Sequence, residues 1–157
     1  MTTHQAVITW ERGQQSFVDN HYSRAHRWQF DGGIEVPASS SPHVVPLPFS
    51  NENAVDPEEA FVASISSCHM LWFLSIAAKN KYCVDRYLDH AVGAMAKNSD
   101  GELYISEVTL KPVIQFSGAE VHADDIAAMH AEAHRKCFIA NSVKTRITIA
   151  VQSAIHL

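Results

Sequence analysis

Three cysteines, Cys68, Cys83 and Cys137, are the side chains of this sequence best suited to covalent chemistry. Cys68 sits in the apolar run Phe61-Val62-Ala63-Ser64-Ile65-Ser66-Ser67-Cys68-His69-Met70-Leu71-Trp72. On a helix it shares a face with Phe61, Ser64, Ile65, Leu71 and Trp72. A free cysteine there often serves as a small buried hydrophobe, and burial alone raises a thiol pKa and blunts its reactivity. A nucleophilic Cys68 therefore needs a cation delivered by another segment. Cys137 closes a helical stretch directly after Arg135 and Lys136, where basic residues complement a helix C-terminus. Cys83 follows Tyr82 in a linker with no cluster of charges or His at helical spacing, and it reads as structural.

Other constellations compete. His130, His134 and Cys137 stand at i, i+4 and i+7, which puts three zinc-ligand types on one helix side. No Cys-x2-Cys or His-Glu-x-x-His accompanies them, so a metal-binding protein is the alternative reading. Arg24, with Arg27 in reserve, lies in a polar connection from which a guanidinium can reach a thiolate at a domain or chain boundary. Glu58 favours a helix start on electrostatic grounds alone. Ten residues separate it from Cys68, about 15 Å along one helix, so Glu58 can serve only the Cys68 of a neighbouring chain.

The elements that must hold these residues follow from the pattern. Strands are predicted over Ala6–Trp10 and Arg27–Val36, then an ordered loop rich in Pro, Ser and Asn over Pro37–Asp56. Asp56, Pro57 and Glu59 supply a cap, a first-turn proline and a capping-box partner for a helix running to about Asn80. That helix is apolar nearly all round, which predicts burial on most sides. Tyr87–Lys97 and Leu103–Phe116 read as a strand pair joined by the turn Asn98-Ser99-Asp100-Gly101. A second helix follows over Ala123–Cys137, with Ile126, Met129 and Ala133 on its apolar face, and a strand over Val143–Gln152 closes the chain. The order is α+β: antiparallel sheets around a long buried central helix, expected as a single domain over 1–157. One subunit of this size would struggle to cover such a helix, which points to a tight homodimer.

Composition narrows the function classes. At 157 residues, 46% hydrophobic and 18% charged, the chain has the makeup of a globular domain. A formal net charge of -5 with no basic run argues against nucleic-acid binding. The N-terminal residues lack a signal-peptide pattern. The uncharged stretch Ala60–Ala78 approaches the length of a membrane span, but its serines, Cys68 and His69 fit a buried core helix better. Three cysteines are too few for a secreted disulfide framework and suit a reducing, cytoplasmic setting.

Two segments carry a family resemblance. Asp56-Pro57-Glu58-Glu59-Ala60-Phe61 leading to Ser66-Ser67-Cys68 resembles the central helix of the OsmC/Ohr family (osmotically inducible protein C and organic hydroperoxide resistance proteins). Cys137-Phe138-Ile139-Ala140-Asn141-Ser142-Val143-Lys144-Thr145 resembles its resolving segment, and Tyr22-Ser23-Arg24 with His69 resembles the OsmC-like branch. The resemblance implies an intertwined homodimer with sites at the subunit boundary. It implies an organic hydroperoxide reductase of stress response that uses no cofactor. Cys68 would be the peroxidatic thiolate, Cys137 the resolving thiol, Glu58 the active-site carboxylate and Arg24 the active-site arginine. The implied partners are an organic hydroperoxide and a dithiol reductant such as a lipoylated protein. Phe61, Met70, Trp72 and Phe73 are candidates for the apolar wall of the site. His69 and Cys83 have no assigned role, and a catalytically inert ligand-binding member is the further alternative.

Overall fold

The computed structural model describes residues 2–118 and 120–151 and the backbone of 155–156. The chain groups into two compact units, Met1–Ala60 and Phe61–Leu157.

The first unit carries an antiparallel sheet of β1 (Ala6–Thr9), β2 (His26–Phe30) and β3 (Glu35–Ala38), in that order. The single strand expected over Arg27–Val36 is a hairpin. Phe30 accepts from the Gly33 amide at 2.9 Å, and Gly33 takes a φ of +81° that favours glycine. Asp31-Gly32-Gly33 was the turn signal. The loop after β3 returns along it, with Val55 bridging Ala38 in parallel. It ends in the anticipated capping box: the Glu59 amide donates to Asp56 Oδ1 at 2.7 Å, and the Asp56 amide to Glu59 Oε2 at 3.2 Å. Two otherwise orphaned donors are thereby satisfied where α1 (Pro57–Lys79) starts.

The second unit differs from expectation in its strands. Each long predicted strand breaks in the middle and serves two sheets. β4 (Cys83–Asp89) pairs with β7 (Pro112–Ser117), and β5 (Val92–Lys97) pairs with β6 (Leu103–Leu110), both antiparallel. Pro112 has no amide proton and stands at the first position of β7, where a strand tolerates it. Asp89 fastens the break: its Oδ1 accepts from the Lys111 amide at 2.6 Å, and its Oδ2 from Ser66 Oγ on α1. β8 (Arg146–Ile149) joins β6 in parallel, and β9 (Ile155–His156) joins β7 in parallel, so neither sheet is purely antiparallel. The end of the predicted last strand, at Gln152, lies outside the described residues. The turn at Asn98–Gly101 forms as expected, with Asn98 Oδ1 accepting from the amides of Asp100 and Glu102 at 2.9 Å each.

α1 lies over both sheets. Ile65 packs with Val108 and Leu110 of β6, beside Ile147 and Ile149 of β8. Two turns on, Phe73, Ile76 and Ala77 join Ile114 and Phe116 of β7 and the Ile126, Met129 and Ala133 face of α2 (Ala123–Lys136). By length and composition α1 is apolar enough to cross a membrane, but this stripe commits it to protein packing. Burial is narrower than predicted. Only Ile65, His69, Phe73, Ile76 and Ala77 are buried, and Leu71 is 60% exposed.

Helix and sheet approach closely at Gly93 of β5, where an added Cβ would stand 2.7 Å from Val62 Cγ2. Valine is short and stiff and cannot swing away. Gly93→Ala is expected to cost about 1–3 kcal/mol, read as a lowered urea midpoint, and Val62→Ala in the same chain should recover part of it.

Candidate active site

The cysteines that the sequence left apart are neighbours. Cys68, on the middle of α1 and half-buried, lies close enough to Cys137 to act on its thiol electrostatically, and Cys137 is 1% exposed at the C-cap of α2. All three cysteines are free thiols. Cys137 is placed by its backbone: its amide donates to Ala133 O at 2.9 Å, and its carbonyl accepts from the Asn141 amide at 3.1 Å. The chain then turns through Phe138 and Ile139 into a 3-10 turn (Ala140–Ser142), which aims the Ala140 amide at Cys137 Sγ at 3.4 Å. Burial nevertheless outweighs the amides of Ala140 and Ile139, and with the adjacent Cys68 it pushes the Cys137 thiol up to about 11. Cys137 therefore stays protonated at neutral pH.

The basic residues before it do not address the sulfur. Lys136 pairs with Glu132 at 2.8 Å and lies 5.4 Å over the Trp72 ring. Trp72 in turn meets Phe138 edge-on at 5.5 Å, closing the helix interface beside the thiols. Of the expected apolar wall, Phe73 is entirely core and Phe61 is partly buried against the β6 sheet. Cys83 is exposed on β4.

A buried pair of histidines, not foreseen as a pair, also joins α1 to α2. His69 Nε2 and His130 Nδ1 are 2.9 Å apart, with near-parallel rings at 5.2 Å. Burial, with His134 nearby, lowers His69 to about 4; burial, with His69 nearby, does the same to His130. The pair is thus neutral near pH 7, one ring donating and the other accepting. Among the described residues no three His, Cys, Asp or Glu side chains are arranged to hold a metal ion. The zinc reading of His130, His134 and Cys137 is corrected accordingly: His130 turns to His69 across the helix interface.

In the first unit, Arg24 and Glu58 line one cavity of about 500 Å³, together with Trp10, Phe17, Tyr22 and His26. Arg27 is exposed on β2 and is absent from that lining. The guanidinium is set by its own loop. Arg24 Nη1 donates to Asn20 O at 3.0 Å and to Tyr22 O, Nη2 donates to Asn20 Oδ1 at 2.6 Å, and the group stacks 3.8 Å from the Tyr22 ring centre. Among the described residues Arg24 and Glu58 are not an ion pair, and Asn20 with Tyr22 sets the guanidinium instead. Trp28 Nε1 donates to His26 Nε2 at 2.9 Å. That leaves the proton on His26 Nδ1, which donates to Arg24 O at 2.7 Å and holds its backbone. Trp10, Phe17 and Tyr22 pack ring on ring with centroids 4.7 to 5.8 Å apart. The sequence reading overlooked this aromatic lining, whose signal was the density of Trp, Phe and Tyr around Arg24.

A profile of the OsmC-like protein family matches residues 50–152. The solved structure of an OsmC-like protein of unknown function from Vibrio cholerae is 52% identical, with a TM-score of 0.95 over 97% of this chain and 100% of that one. An organic hydroperoxide resistance protein from Elizabethkingia anophelis superposes with a TM-score of 0.68 at 15% identity, over 100% and 98% of the two chains. The organic hydroperoxide resistance protein OhrB of Bacillus subtilis gives 0.67 at 14%, over 96% and 98%. These last two share the fold. Among curated proteins nothing matches.

The histidine pair has a measurable consequence. An unfolded His titrates near 6.5, whereas His69 and His130 do so at about 4 when folded. Between those values the unfolded chain binds more protons, so stability is complete above pH 6.5 and falls as pH drops towards 4. The loss should reach roughly 3 kcal/mol for one ring, read as urea midpoints at pH 7 and pH 4.5, and His69→Leu/His130→Leu should flatten it.

Proposed function

The chain belongs to the OsmC-like protein family, and on that premise we propose that it is a thiol peroxidase reducing organic hydroperoxides to alcohols. The observation that supports this most is the Cys68 thiol lying against a Cys137 thiol that stays protonated at neutral pH. Cys137 can then offer its S–H to the neighbouring sulfur.

In the proposed reaction the Cys68 thiolate attacks the peroxide oxygen and the O–O bond breaks. The alcohol leaves with a proton, and Cys68 becomes a sulfenic acid. The Cys137 sulfur displaces that hydroxyl as water, giving a disulfide, and a dithiol such as a dihydrolipoyl group restores both thiols by exchange. Arg24 supplies positive charge for the thiolate and the peroxide, and Glu58 the companion carboxylate. The aromatic cavity they line accommodates the organic group. The helix length argued from the sequence gives Glu58 to the neighbouring chain of a homodimer, and Arg24, which lines the same cavity, goes with it. The exposed apolar side of α1, Leu71 included, is consistent with that. Free thiols and a dithiol reductant suit the cytoplasm.

Cumene hydroperoxide with dihydrolipoamide tests the reading. Cys68→Ser should lose at least about 100-fold in rate. Cys137→Ser should consume one equivalent of peroxide and stop at a sulfenic acid trapped by dimedone. If peroxide is untouched and Cys68→Ser behaves like the parent, the chain is an inert ligand-binding member.

The shared site has its own test. Cys68→Ser and Glu58→Gln chains, each inactive, are refolded together. Random pairing makes half of the dimers mixed, each with one intact site, so about a quarter of parental activity should return. No recovery, with mixed dimers confirmed by mass spectrometry, would return Glu58 to helix capping.

A further inference from the structure

His69 and His130 are buried at 1% and 2% exposure, yet three nitrogens of the cluster, His69 Nδ1, His130 Nε2 and His134 Nδ1, have no hydrogen-bond partner among the described residues. Unpaired buried polar atoms are costly, and two apolar side chains of similar volume would pack there at lower cost. Stability alone therefore does not account for the pair. A hydrogen bond offers directionality, which apolar packing lacks: it fixes two elements at one separation and one orientation.

The position of the bond gives that directionality a use. α1 and α2 approach each other at two points. His69 is hydrogen-bonded to His130 at 2.9 Å, and one residue earlier on α1 Cys68 neighbours Cys137. On α2 these points are seven residues apart, about 10 Å or two turns, and so on the same side of the helix. Phe73, 4.3 Å from the His130 ring, backs the first tie, and Trp72 against Phe138 flanks the second. A helix held at one point can pivot; held at two, it cannot. Around the pair the titratable neighbours are His134 on α2 and Asp89 on β4, the latter already holding Ser66 and Lys111.

We propose that the His69–His130 hydrogen bond is a positioning clamp that keeps Cys137 within bonding reach of Cys68 and so sets the rate of disulfide closure. The inference rests on the pairing of Cys68 with Cys137 in the function proposed above, but not on a peroxide as oxidant. Both histidines are positioning residues and act through the cysteines.

The test therefore uses a small disulfide, oxidised glutathione, on the full-length protein. The Cys68 thiolate attacks one glutathione sulfur and expels the other half as thiol, leaving a mixed disulfide on Cys68. Cys137 then attacks the Cys68 sulfur, expels the second glutathione, and closes the internal disulfide. Mass spectrometry of acid-quenched samples separates the two species. His130→Phe, which keeps a ring and removes the bond, should slow closure about tenfold and accumulate the mixed disulfide at Cys68. His130→Asn, whose amide stands where Nδ1 does, and His69→Gln, whose amide stands where Nε2 does, should restore closure to within about threefold of the parent.

Closure by His130→Phe at the parental rate would overturn the clamp, even if its thermal midpoint falls. So would equal slowing in His130→Asn and His130→Phe, because the bond would then not be what matters. Failure of the parent to close at all would overturn it too. If His130→Phe does not fold by circular dichroism, His69→Gln against His69→Leu asks the same question from α1. A protein that closes normally with glutathione but ignores peroxide would sink the peroxidase reading and leave the clamp standing.

Discussion

An α-helix with apolar residues on nearly every side cannot be clothed by one sheet. α1 runs for 23 residues in this condition, and much of the second unit follows from it. Two short sheets share its length, each offering one apolar face, and α2 covers the stretch around Phe73. Sharing requires the strands to change sheet part-way, which is why β4 and β5, and β6 and β7, are halves of what reads as continuous strands. Asp89 sits at that change and binds both the helix and the opposite break.

The same packing decides the thiol chemistry. Bringing α2 down on α1 buries Cys137 completely, and the desolvation outweighs the two amides that would otherwise favour its anion. Cys68, one helix over, is only half-buried. Two chemically identical side chains thus acquire different environments from the order in which helices cover them. In the proposed function that asymmetry separates a sulfur that would meet the substrate from one that would wait behind it.

Much of this was legible in the residues, and the failures have identifiable causes. The capping box at Asp56 and Glu59, the α2 face at Ile126, Met129 and Ala133, and the Asn98 turn were read correctly because each is a local interaction with a local signature. The strand breaks were missed because apolar alternation persists through Lys111-Pro112 even though the pairing partner changes. Hydrophobic period reports which face is buried, not which sheet buries it. The proximity of Cys68 and Cys137 is a long-range contact with no periodic trace and rested on resemblance. His130 was read with His134 at i, i+4 spacing along one helix, whereas its partner, His69, is 61 residues away.

Arg24 carries a consequence of a different kind. A guanidinium has five N–H donors, and three of those of Arg24 are engaged by Asn20 and Tyr22 while its face rests on the Tyr22 ring. Among the described residues the Nε–H and one Nη2–H have no partner. A long side chain that is ordered only on binding loses rotamer freedom at that moment, on the order of 2 kcal/mol. Here that entropy is surrendered when the loop folds. Under the proposed function the cavity would meet its ligand as a rigid host, and discrimination between guests would fall on shape and charge alignment, not on how readily the arginine can be gathered.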